Sequence, residues 1–343
     1  MDRNPPVGRG MMKPPMLEGL TFAPSAAAGA SHRDEFARDL ARALASAPHS
    51  ISPKYFYDAE GSRLFDRICE LPEYYPTRTE LGILRACVDE VASLSGPGAE
   101  IIEFGAGSLL KIRLLLRALA APAAYVPIDI SGEHLWGAAA ALRGEFTGLA
   151  VTPVVADYTQ PIALPPRAAG AGRRIGFFPG STIGNFAPEE ALAFLRTAAG
   201  ALRGGALLLG TDLVKDPHVL HAAYNDDQGV TAAFNLNLLA RANRELATDF
   251  ALDRFAHYAF YNAPLQRIEM HLVSREPQSV TLDGRRFTLA EGTSLHTENS
   301  YKFTVEGLRA LAQRAGFQPG PVWTDPQRLF SLHWLIAPEG PLA

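Results

Sequence analysis

The sequence predicts a doubly wound α/β fold, in which a mostly parallel sheet carries helices on both faces, together with a smaller α+β cap. Three observations lead to this prediction. From residue 99 onwards short apolar runs alternate with helical patterns, a glycine-rich turn follows the first run, and two apolar runs lie close together near the C-terminus. Alternating strands and helices are typical of a parallel sheet with right-handed crossovers.

The core is expected at residues 99–216 and 298–343. Buried apolar runs predict strands at 100–104, 124–130, 151–156, 174–180 and 205–212. Helical spacing predicts helices at 109–119, 135–146, 188–202 and 304–316. Two final strands are predicted at 321–325 and 330–337. Their short connection favours an antiparallel pair that completes the sheet.

The cap is expected to combine residues 31–98 with an insertion at 217–297, which is too long for a crossover. Within the insertion, the spacing predicts a helix at 230–246 and strands at 255–261 and 266–273. We expect the two parts of the cap to cover the nucleotide-binding face of the sheet.

The N-terminal region divides into a tail and three parts of the cap. Residues 1–30 contain no continuous apolar run and are expected to be a flexible tail, not a signal peptide. A helix is predicted at 34–49, with Ser31 as its N-cap. The polar and aromatic segment 52–66 is interpreted as a lid or binding loop, and a helix to about Leu94 follows it.

Composition excludes several classes of protein. The chain has 343 residues, a net charge of −4 and no basic stripe, so nucleic acid is not an expected partner. Its apolar runs are shorter than the ~20 residues that a membrane span needs. Cys69 and Cys87 lack metal-ligand spacing and are expected to be reduced, partly buried thiols. We therefore predict a cytoplasmic protein, expected to be a monomer, without a metal site.

The glycine-rich turn indicates a nucleotide ligand. Glu103-Phe-Gly105-Ala-Gly107 joins a strand to a helix, and its glycines allow a close approach of ligand to backbone. A dinucleotide fingerprint would have a third glycine at position 110, where this chain has Leu. The carboxylate of Glu103 suits a positively charged ligand better than a pyrophosphate. S-adenosylmethionine carries a sulfonium and an ammonium.

Acidic residues also follow the next two predicted strands. Asp129 ends the second strand, where a carboxylate can bind both ribose hydroxyls. Asp157-Tyr158 follows the third, where a carboxylate can accept a hydrogen bond from the adenine amino group. Each acid alone is more often a cap or turn former, but acids at three successive strand ends indicate the crevice in which such sheets bind ligands. Together with the antiparallel last strand, they predict an S-adenosylmethionine site.

The chain resembles a known family from about residue 34 to its end. The resemblance rests on ordered motifs: Lys54-Tyr-Phe-Tyr-Asp, Leu71-Pro-Glu-Tyr-Tyr-Pro-Thr-Arg-Thr-Glu, Gly180-Ser-Thr-Ile-Gly-Asn-Phe, Gly210-Thr-Asp-Leu-Val-Lys-Asp, Tyr224 with Gly229-Val-Thr-Ala-Ala-Phe-Asn, Arg267-Ile-Glu-Met and His296-Thr-Glu-Asn-Ser-Tyr-Lys-Phe. These motifs are similar to those of the histidine-specific methyltransferases that make Nα,Nα,Nα-trimethylhistidine (hercynine) for ergothioneine biosynthesis. The resemblance implies a class I methyltransferase sheet, S-adenosylmethionine as cofactor and L-histidine as substrate.

The resemblance also implies roles for individual residues. The cofactor positions that match the family are Gly105, Lys111, Asp129, Asp157 and Tyr158, with Tyr57 near them. The substrate positions are Asn185 and Tyr224 at the amino-acid backbone, Met270, Glu298 and Ser300 at the imidazole, and, without an assigned end, Gly180 and one of Tyr74 and Tyr75. The turn departs from the family because a more polar run is expected before the lysine, which leaves the detailed role of Lys111 open.

The chemistry of Glu298 and Ser300 supports their assignment independently. A neutral imidazole has one N–H donor and one acceptor nitrogen. A carboxylate can accept from the donor while a hydroxyl serves the other nitrogen, and residues two apart on a strand face the same side. Blander interpretations stay open from the residues alone: a polar strand face for this pair, a turn former for Asn185 and a core aromatic for Tyr224.

Two other functions compete with histidine methylation. One is N-methylation of another amino acid, such as a tryptophan derivative, for which a carboxylate and a hydroxyl spanning a ring would be less useful. The other is a non-catalytic partner that only binds the cofactor. The acids at all three strand ends and Asn185 argue against a degenerate site.

Overall fold

The computed structural model describes residues 26–340, apart from 108, 161 and 169. Its helices are α1 (Ala26–Ala45), α2 (Ala59–Glu70), α3 (Tyr75–Ser95), α4 (Leu109–Ala118), α5 (Gly132–Glu145), α6 (Pro188–Ala201), α7 (Pro217–Tyr224), α8 (Val230–Leu246) and α9 (Val305–Arg314). Its strands are β1 (His49–Ser50), β2 (Glu100–Phe104), β3 (Ala124–Asp129), β4 (Ala150–Val151), β5 (Val154–Val155), β6 (Arg174–Phe178), β7 (Ala206–Asp212), β8 (Phe255–Asn262), β9 (Arg267–Ser274), β10 (Gln278–Leu282), β11 (Arg285–Leu289), β12 (Ser294–Tyr301), β13 (Gln318–Thr324) and β14 (Phe330–Ile336). No helix in this described part is long and apolar enough to cross a membrane.

The core sheet has the spatial order β13-β14-β7-β6-β2-β3-β4, with β5 also paired to β3. Strands β2, β3, β6 and β7 are parallel, whereas β14 runs antiparallel to both of its neighbours. This confirms the predicted doubly wound sheet with an antiparallel final pair. The third predicted strand, 151–156, is broken at Pro153 into β4 and β5, because proline has no N–H for the ladder.

Helices cover both faces of the core sheet, which explains why every residue of β2 and β7 is buried. On one face, Leu84 of α3 and Leu115 of α4 pack against the sheet. On the other, Leu195 of α6 and Leu308 of α9 do so. The surface that remains for a ligand-binding site is therefore the carboxyl edge of the parallel strands.

The cap contains a second sheet, of order β1-β12-β9-β8, and the hairpin β10–β11. Phe56, Leu238 of α8 and Met270 of β9 belong to its apolar core. The second sheet meets the first where β12 ends. There the backbone N–H of Phe303 donates to the carbonyl of Asp212 (2.9 Å), and the N–H of Val214 donates to the carbonyl of Phe303 (2.9 Å). This junction places the side chains of β12 beside the carboxyl end of β7.

The structure differs from the sequence-based expectation in the elements at the two ends of the cap. Helix α1 begins at Ala26, so Ser31 lies inside the helix instead of capping it, and residues 26–30 are helical although the tail was expected to include them. Residues 1–25 lie outside the described residues. The expected boundary between 297 and 298 falls inside β12, which ends at Tyr301.

The segment expected to be an irregular lid is mostly helical. It contains a 3₁₀ turn at Pro53–Phe56 and then α2. The carboxylate of Asp58 caps α2 by accepting from the N–H of Gly61 (2.7 Å), and Leu64 and Ile68 form its buried side. Gly61 is required at this close approach, since a Cβ there would lie 1.7 Å from the carbonyl oxygen of Phe56.

Candidate active site

A cavity of about 600 Å³, including its opening, lies between the cap and the carboxyl edge of the core sheet. The lining residues are Tyr57, Phe65, Ile68, Tyr74, Pro76, Gly180, Ser181, Thr182, Asn185, Asp212, Ala223, Tyr224, Thr231, Phe234, Met270, Glu298 and Ser300. Seven residues predicted for the substrate therefore line one cavity: Tyr74, Gly180, Asn185, Tyr224, Met270, Glu298 and Ser300.

The glycine turn lies between β2 and α4, at the same edge of the sheet. The N–H groups of Gly105 and Ala106 both donate to the carbonyl of Ile128 (2.9 and 3.0 Å), which ties the turn to β3. Gly105 has φ = +74°, the left-handed region that favours glycine. A Cβ at Gly107 would meet no atom within 4 Å, so there is open space beside this side of the turn.

Two of the predicted cofactor acids follow neighbouring strands at this edge. Asp129 accepts from the N–H of Ser131 through Oδ1 (2.8 Å). Asp157 accepts from the N–H and hydroxyl of Thr159 through Oδ1 (2.9 and 2.5 Å). Its Oδ2 lies 3.6 Å from the ammonium of Lys54, which reaches it from the cap. Carboxylates accept hydrogen bonds from hydroxyl and amino groups, so these acids and the open turn suit a nucleoside.

Glu103 lies deeper than its position in the turn motif suggests. Its carboxylate is almost fully buried and accepts from the hydroxyl of Tyr125. Burial raises the pKa of Glu103 to about 8, although the bond from Tyr125 opposes the rise. A positively charged ligand at the turn would favour its ionised form. Its contact with the cofactor stays a prediction.

Lys111 pairs with a residue that sequence analysis missed. Its Nζ lies 2.5 Å from Oε2 of the buried Glu80 on α3. The same carboxylate accepts from the N–H of Gly180 (2.9 and 3.0 Å). Position 210 must be small, since a Cβ there would lie 2.1 Å from Oε1 of Glu80. Glu80 thus links α4, which follows the cofactor turn, to the substrate loop. The sequence signal for a role of Glu80 was that it ends the motif that begins at Leu71.

Asn185 is positioned by the tight loop that follows β6. Ser181 has φ = +59°, and its hydroxyl accepts from the N–H of Asp212 (2.9 Å). Gly184 packs on the end of β12, where a Cβ would lie 2.7 Å from the carbonyl of Tyr301. The 3₁₀ turn Thr182–Asn185 is thereby fixed between both sheets and carries Asn185 into the cavity.

Glu298 and Ser300 alternate on β12 and both face the cavity, as the period of a strand predicts. Met270 is the cross-strand neighbour of Glu298 on β9. Burial raises the pKa of Glu298 to about 7, while the positive charge of Lys302 lowers it. This carboxylate can therefore change protonation near neutral pH.

A buried ionic network lies behind this part of the cavity. Asp212 receives the ammonium of Lys302 on Oδ2 (2.8 Å) and that of Lys215 on Oδ1 (2.6 Å). The hydroxyl of Tyr75 donates to Asp212 (2.7 Å to Oδ2). Among the described residues, the cavity lining includes Tyr74 and not Tyr75, so the first is the better candidate for the substrate tyrosine. Asp212, Lys215 and Lys302 lie in recognised motifs, but sequence analysis assigned them no role.

The cavity also has an aromatic wall, formed by Tyr57, Phe65, Tyr74, Tyr224 and Phe234. Burial raises the pKa of Tyr57 well above its usual value, and the charges of Glu298 and Asp129 add to the rise. The hydroxyl of Tyr57 is therefore within electrostatic range of both Glu298, predicted to bind the ring, and Asp129, predicted to bind the ribose. Its position links the substrate cavity to the cofactor edge.

Glu269, His271 and His296 form a separate cluster on the second sheet, with one potential ligand atom from each within 4.8 Å of the others. The Glu269 carboxylate already receives the guanidinium of Arg267 (2.7 Å), and the two imidazole rings are stacked at 4.7 Å. The guanidinium supplies the positive charge that a cation would otherwise provide. We interpret the cluster as an ionic and aromatic ladder.

The strand order, the open glycine turn and the acids beside it define a class I S-adenosylmethionine-dependent methyltransferase. A family model described as histidine-specific, SAM-dependent methyltransferase matches residues 36–337. The chain is 43% identical to the histidine N-alpha-methyltransferase of Mycolicibacterium smegmatis over 301 residues, which cover 86% of this chain and 92% of that protein. The chain belongs to the family of histidine-specific, S-adenosylmethionine-dependent methyltransferases.

More distant proteins are also similar. The chain is 25% identical to the 4-dimethylallyltryptophan N-methyltransferase of Claviceps purpurea, over 85% of this chain and 92% of that protein. A solved S-adenosylmethionine-dependent methyltransferase from Clostridium acetobutylicum is 10% identical, with a TM-score of 0.43, over 77% of this chain and 92% of that one.

Proposed function

We propose that this methyltransferase transfers methyl groups from S-adenosylmethionine to the α-amino group of L-histidine, giving Nα,Nα,Nα-trimethylhistidine for ergothioneine biosynthesis. One observation carries the choice of substrate: Glu298 and Ser300 face a single cavity from the same strand, with Lys302 behind them. The cytoplasmic location and monomeric state expected from the sequence stay predictions.

The ring end of the cavity suits an imidazole. The carboxylate of Glu298 accepts from the ring N–H, and the hydroxyl of Ser300 bonds to the other nitrogen. Met270 packs beside the ring as an apolar, polarisable surface. A pair of this kind favours a ring with two nitrogens over a hydrocarbon ring, because burying either polar group without a partner costs about 1–3 kcal/mol.

The other end of the cavity suits the amino-acid backbone. Asn185 offers an amide N–H₂ and a carbonyl oxygen, which can bind a carboxylate and an amine together. Tyr224 lies between the two ends, and its hydroxyl is 2.8 Å from that of Ser300. Gly180 and Tyr74 also line the cavity.

The proposed chemistry depends mainly on positioning. S-adenosylmethionine supplies an electrophilic methyl group on its sulfonium. The cavity holds the neutral amine in line with that group, so that attack becomes effectively unimolecular. The α-ammonium must lose a proton before each transfer, because only the neutral amine has the lone pair that attacks the methyl group. The aromatic wall then accommodates the growing positive charge through cation–π attraction.

The proposal is tested by calorimetry, which measures the affinity of free amino acids for the protein's complex with S-adenosylhomocysteine. Histidine should bind more tightly than tryptophan or tyrosine, and Glu298→Ala should remove that preference while S-adenosylhomocysteine still binds. Retention of full selectivity by Glu298→Ala would mean that the imidazole assignment is wrong. Tighter binding of an indole amine would favour the related tryptophan-derivative reaction, for which the Claviceps relative is named.

A non-catalytic role is the weaker alternative. It requires binding of S-adenosylmethionine without turnover of any amino acid. The fixed loop that carries Asn185 and the buried Glu80–Lys111 pair that holds it argue for a catalytic site. A protein that only binds the cofactor does not require a positioned polar cavity for an amino acid.

A further inference from the structure

Lys302 contacts the hydroxyl of Ser300, at the ring end of the cavity, and the neighbouring hydroxyl of Tyr224. Its side chain is fully buried, and its Nζ lies 2.7 Å from Oγ of Ser300, 3.1 Å from the hydroxyl oxygen of Tyr224 and 2.8 Å from Oδ2 of Asp212. The two hydroxyl oxygens lie 2.8 Å from each other. One ammonium thus joins the residues proposed for the substrate's ring and backbone.

The number of protons fixes the direction of these bonds. An ammonium has three N–H donors and no acceptor, so Lys302 donates to all three oxygens. A phenol is a stronger acid than an alcohol, so Tyr224 donates in the bond that it shares with Ser300. The Ser300 oxygen then receives two hydrogen bonds, and its own proton is left for the cavity.

We propose that Lys302 is a positioning residue that makes Ser300 a hydrogen-bond donor towards the substrate ring. The inference rests on the proposed function, because it explains how the cavity selects a ring with an acceptor nitrogen. Glu298 accepts from the ring N–H and Ser300 donates to the ring nitrogen, so the pair recognises one tautomer of a neutral imidazole.

Lys215 provides a matched control. Both lysines pair with Asp212, one on each carboxylate oxygen. Lys215 also bonds to the hydroxyl of Tyr75 and to the carbonyl of Leu213. Within the described residues, Lys302 is the lysine that bonds to Ser300. Lys302→Met and Lys215→Met therefore remove the same charge from Asp212, but only the first changes the donors to Ser300.

Ring analogues of histidine report the direction of the Ser300 bond. The 4-thiazolyl and 5-thiazolyl analogues of alanine each keep one acceptor nitrogen, at the position of one imidazole nitrogen, and lack an N–H. Thienylalanine has the same ring shape without nitrogen. Dissociation constants of these ligands and of histidine would be measured by calorimetry with S-adenosylhomocysteine present, for the wild type, Ser300→Ala, Lys302→Met, Lys215→Met and the Ser300→Ala/Lys302→Met double variant.

We expect one thiazole isomer to bind the wild type about tenfold more tightly than thienylalanine, as one hydrogen bond predicts. Ser300→Ala should abolish this advantage, Lys302→Met should reduce it several-fold, and Lys215→Met should retain it. In the Ser300→Ala background, Lys302→Met should not change the ratio of thiazole affinity to thienylalanine affinity any further, since Lys302 acts through the Ser300 hydroxyl. Retained affinity for S-adenosylhomocysteine shows that each variant is folded.

Two results would overturn the inference while leaving histidine as the substrate. One is a wild type that binds histidine but neither thiazole better than thienylalanine, which would mean that Ser300 accepts instead of donating. This comparison needs no lysine variant, so it decides the question even if Lys302→Met does not fold. The other is a folded Lys302→Met protein with the full thiazole advantage. A wild type that does not bind histidine contradicts the proposed function itself.

Discussion

Lys111 and Glu80 form a buried ion pair, with 2.5 Å between Nζ and Oε2. Lys111 belongs to the helix that follows the cofactor turn, and Glu80 also binds the N–H of Gly180 in the substrate loop. One carboxylate therefore fixes both halves of the candidate site relative to each other. Its burial makes the pair sensitive to the loss of either charge.

Glu80→Gln should destabilise the protein strongly, because it leaves the ammonium of Lys111 buried without a counter-charge. Loss of one partner of a buried pair costs about 3–5 kcal/mol. The free energy of unfolding would be measured by urea denaturation. Glu145→Gln is the control: Glu145 pairs with Arg113 and Arg117 at the surface, and its loss should leave stability unchanged within error. Equal stability of the two variants would contradict this account of the pair.

Glu298→Gln should stabilise the ligand-free protein above neutral pH. The pKa of Glu298 is raised to about 7 by burial, so between its unfolded value and 7 the folded state binds more protons than the unfolded state. Stability from this residue therefore falls as pH rises through that window. The neutral variant has no charge to bury, so its gain in the free energy of unfolding should rise from about 1 kcal/mol at pH ~5 to about 3 kcal/mol at pH ~8. Denaturation at both pH values measures the gain, and a gain independent of pH would contradict the shift.

Asp129→Asn should weaken S-adenosylmethionine binding about tenfold or more, since a charge-assisted hydrogen bond contributes about 1.5–3 kcal/mol. The selectivity of the loaded protein for histidine over tryptophan should stay the same, because Asp129 lies at the cofactor edge outside the cavity lining. Calorimetry with S-adenosylmethionine, followed by competition between the two amino acids, separates the effects. A variant with altered selectivity and normal cofactor affinity would move Asp129 to the substrate site.

Asn185→Ala should lower turnover and weaken histidine binding, because the amide is the proposed contact with the substrate carboxylate and amine. The affinity for S-adenosylhomocysteine should change little. Asn225→Ala is a suitable control: that amide bonds to the carbonyls of His221 and Ala259 and is absent from the cavity lining of the described chain. Similar kinetics for both variants would argue against a substrate role for Asn185.

Most of the core could be predicted from the sequence because its strands are continuous apolar runs punctuated by glycine and acid residues. The break at Pro153 was missed, although proline is itself the signal. In the cap, α2 was mistaken for an irregular lid because its buried side consists of a few residues among many polar ones, such as Leu64 and Ile68. Its start depends on Asp58 and on the close approach of Gly61 to Phe56, which only tertiary packing shows.

The residues that face the candidate substrate could be predicted, but those that position them could not. Glu298 and Ser300 face one side because of the strand period, which is a local property. Glu80, Asp212 and Lys302 act through partners that are distant in sequence: Lys302, for example, contacts Tyr224 across 78 positions. Local patterns contain no information about such pairs. The same limit explains why Tyr74 and Tyr75 could not be distinguished without the structure.

The central claim is most directly tested by turnover with a mixture of the standard amino acids. The purified protein would be incubated with S-adenosylmethionine and equimolar amounts of each, and the products would be followed by mass spectrometry. We predict that histidine alone gains methyl groups, up to three, on its α-nitrogen. Binding of S-adenosylmethionine without a histidine product, or preferential methylation of tryptophan, would contradict the proposed substrate.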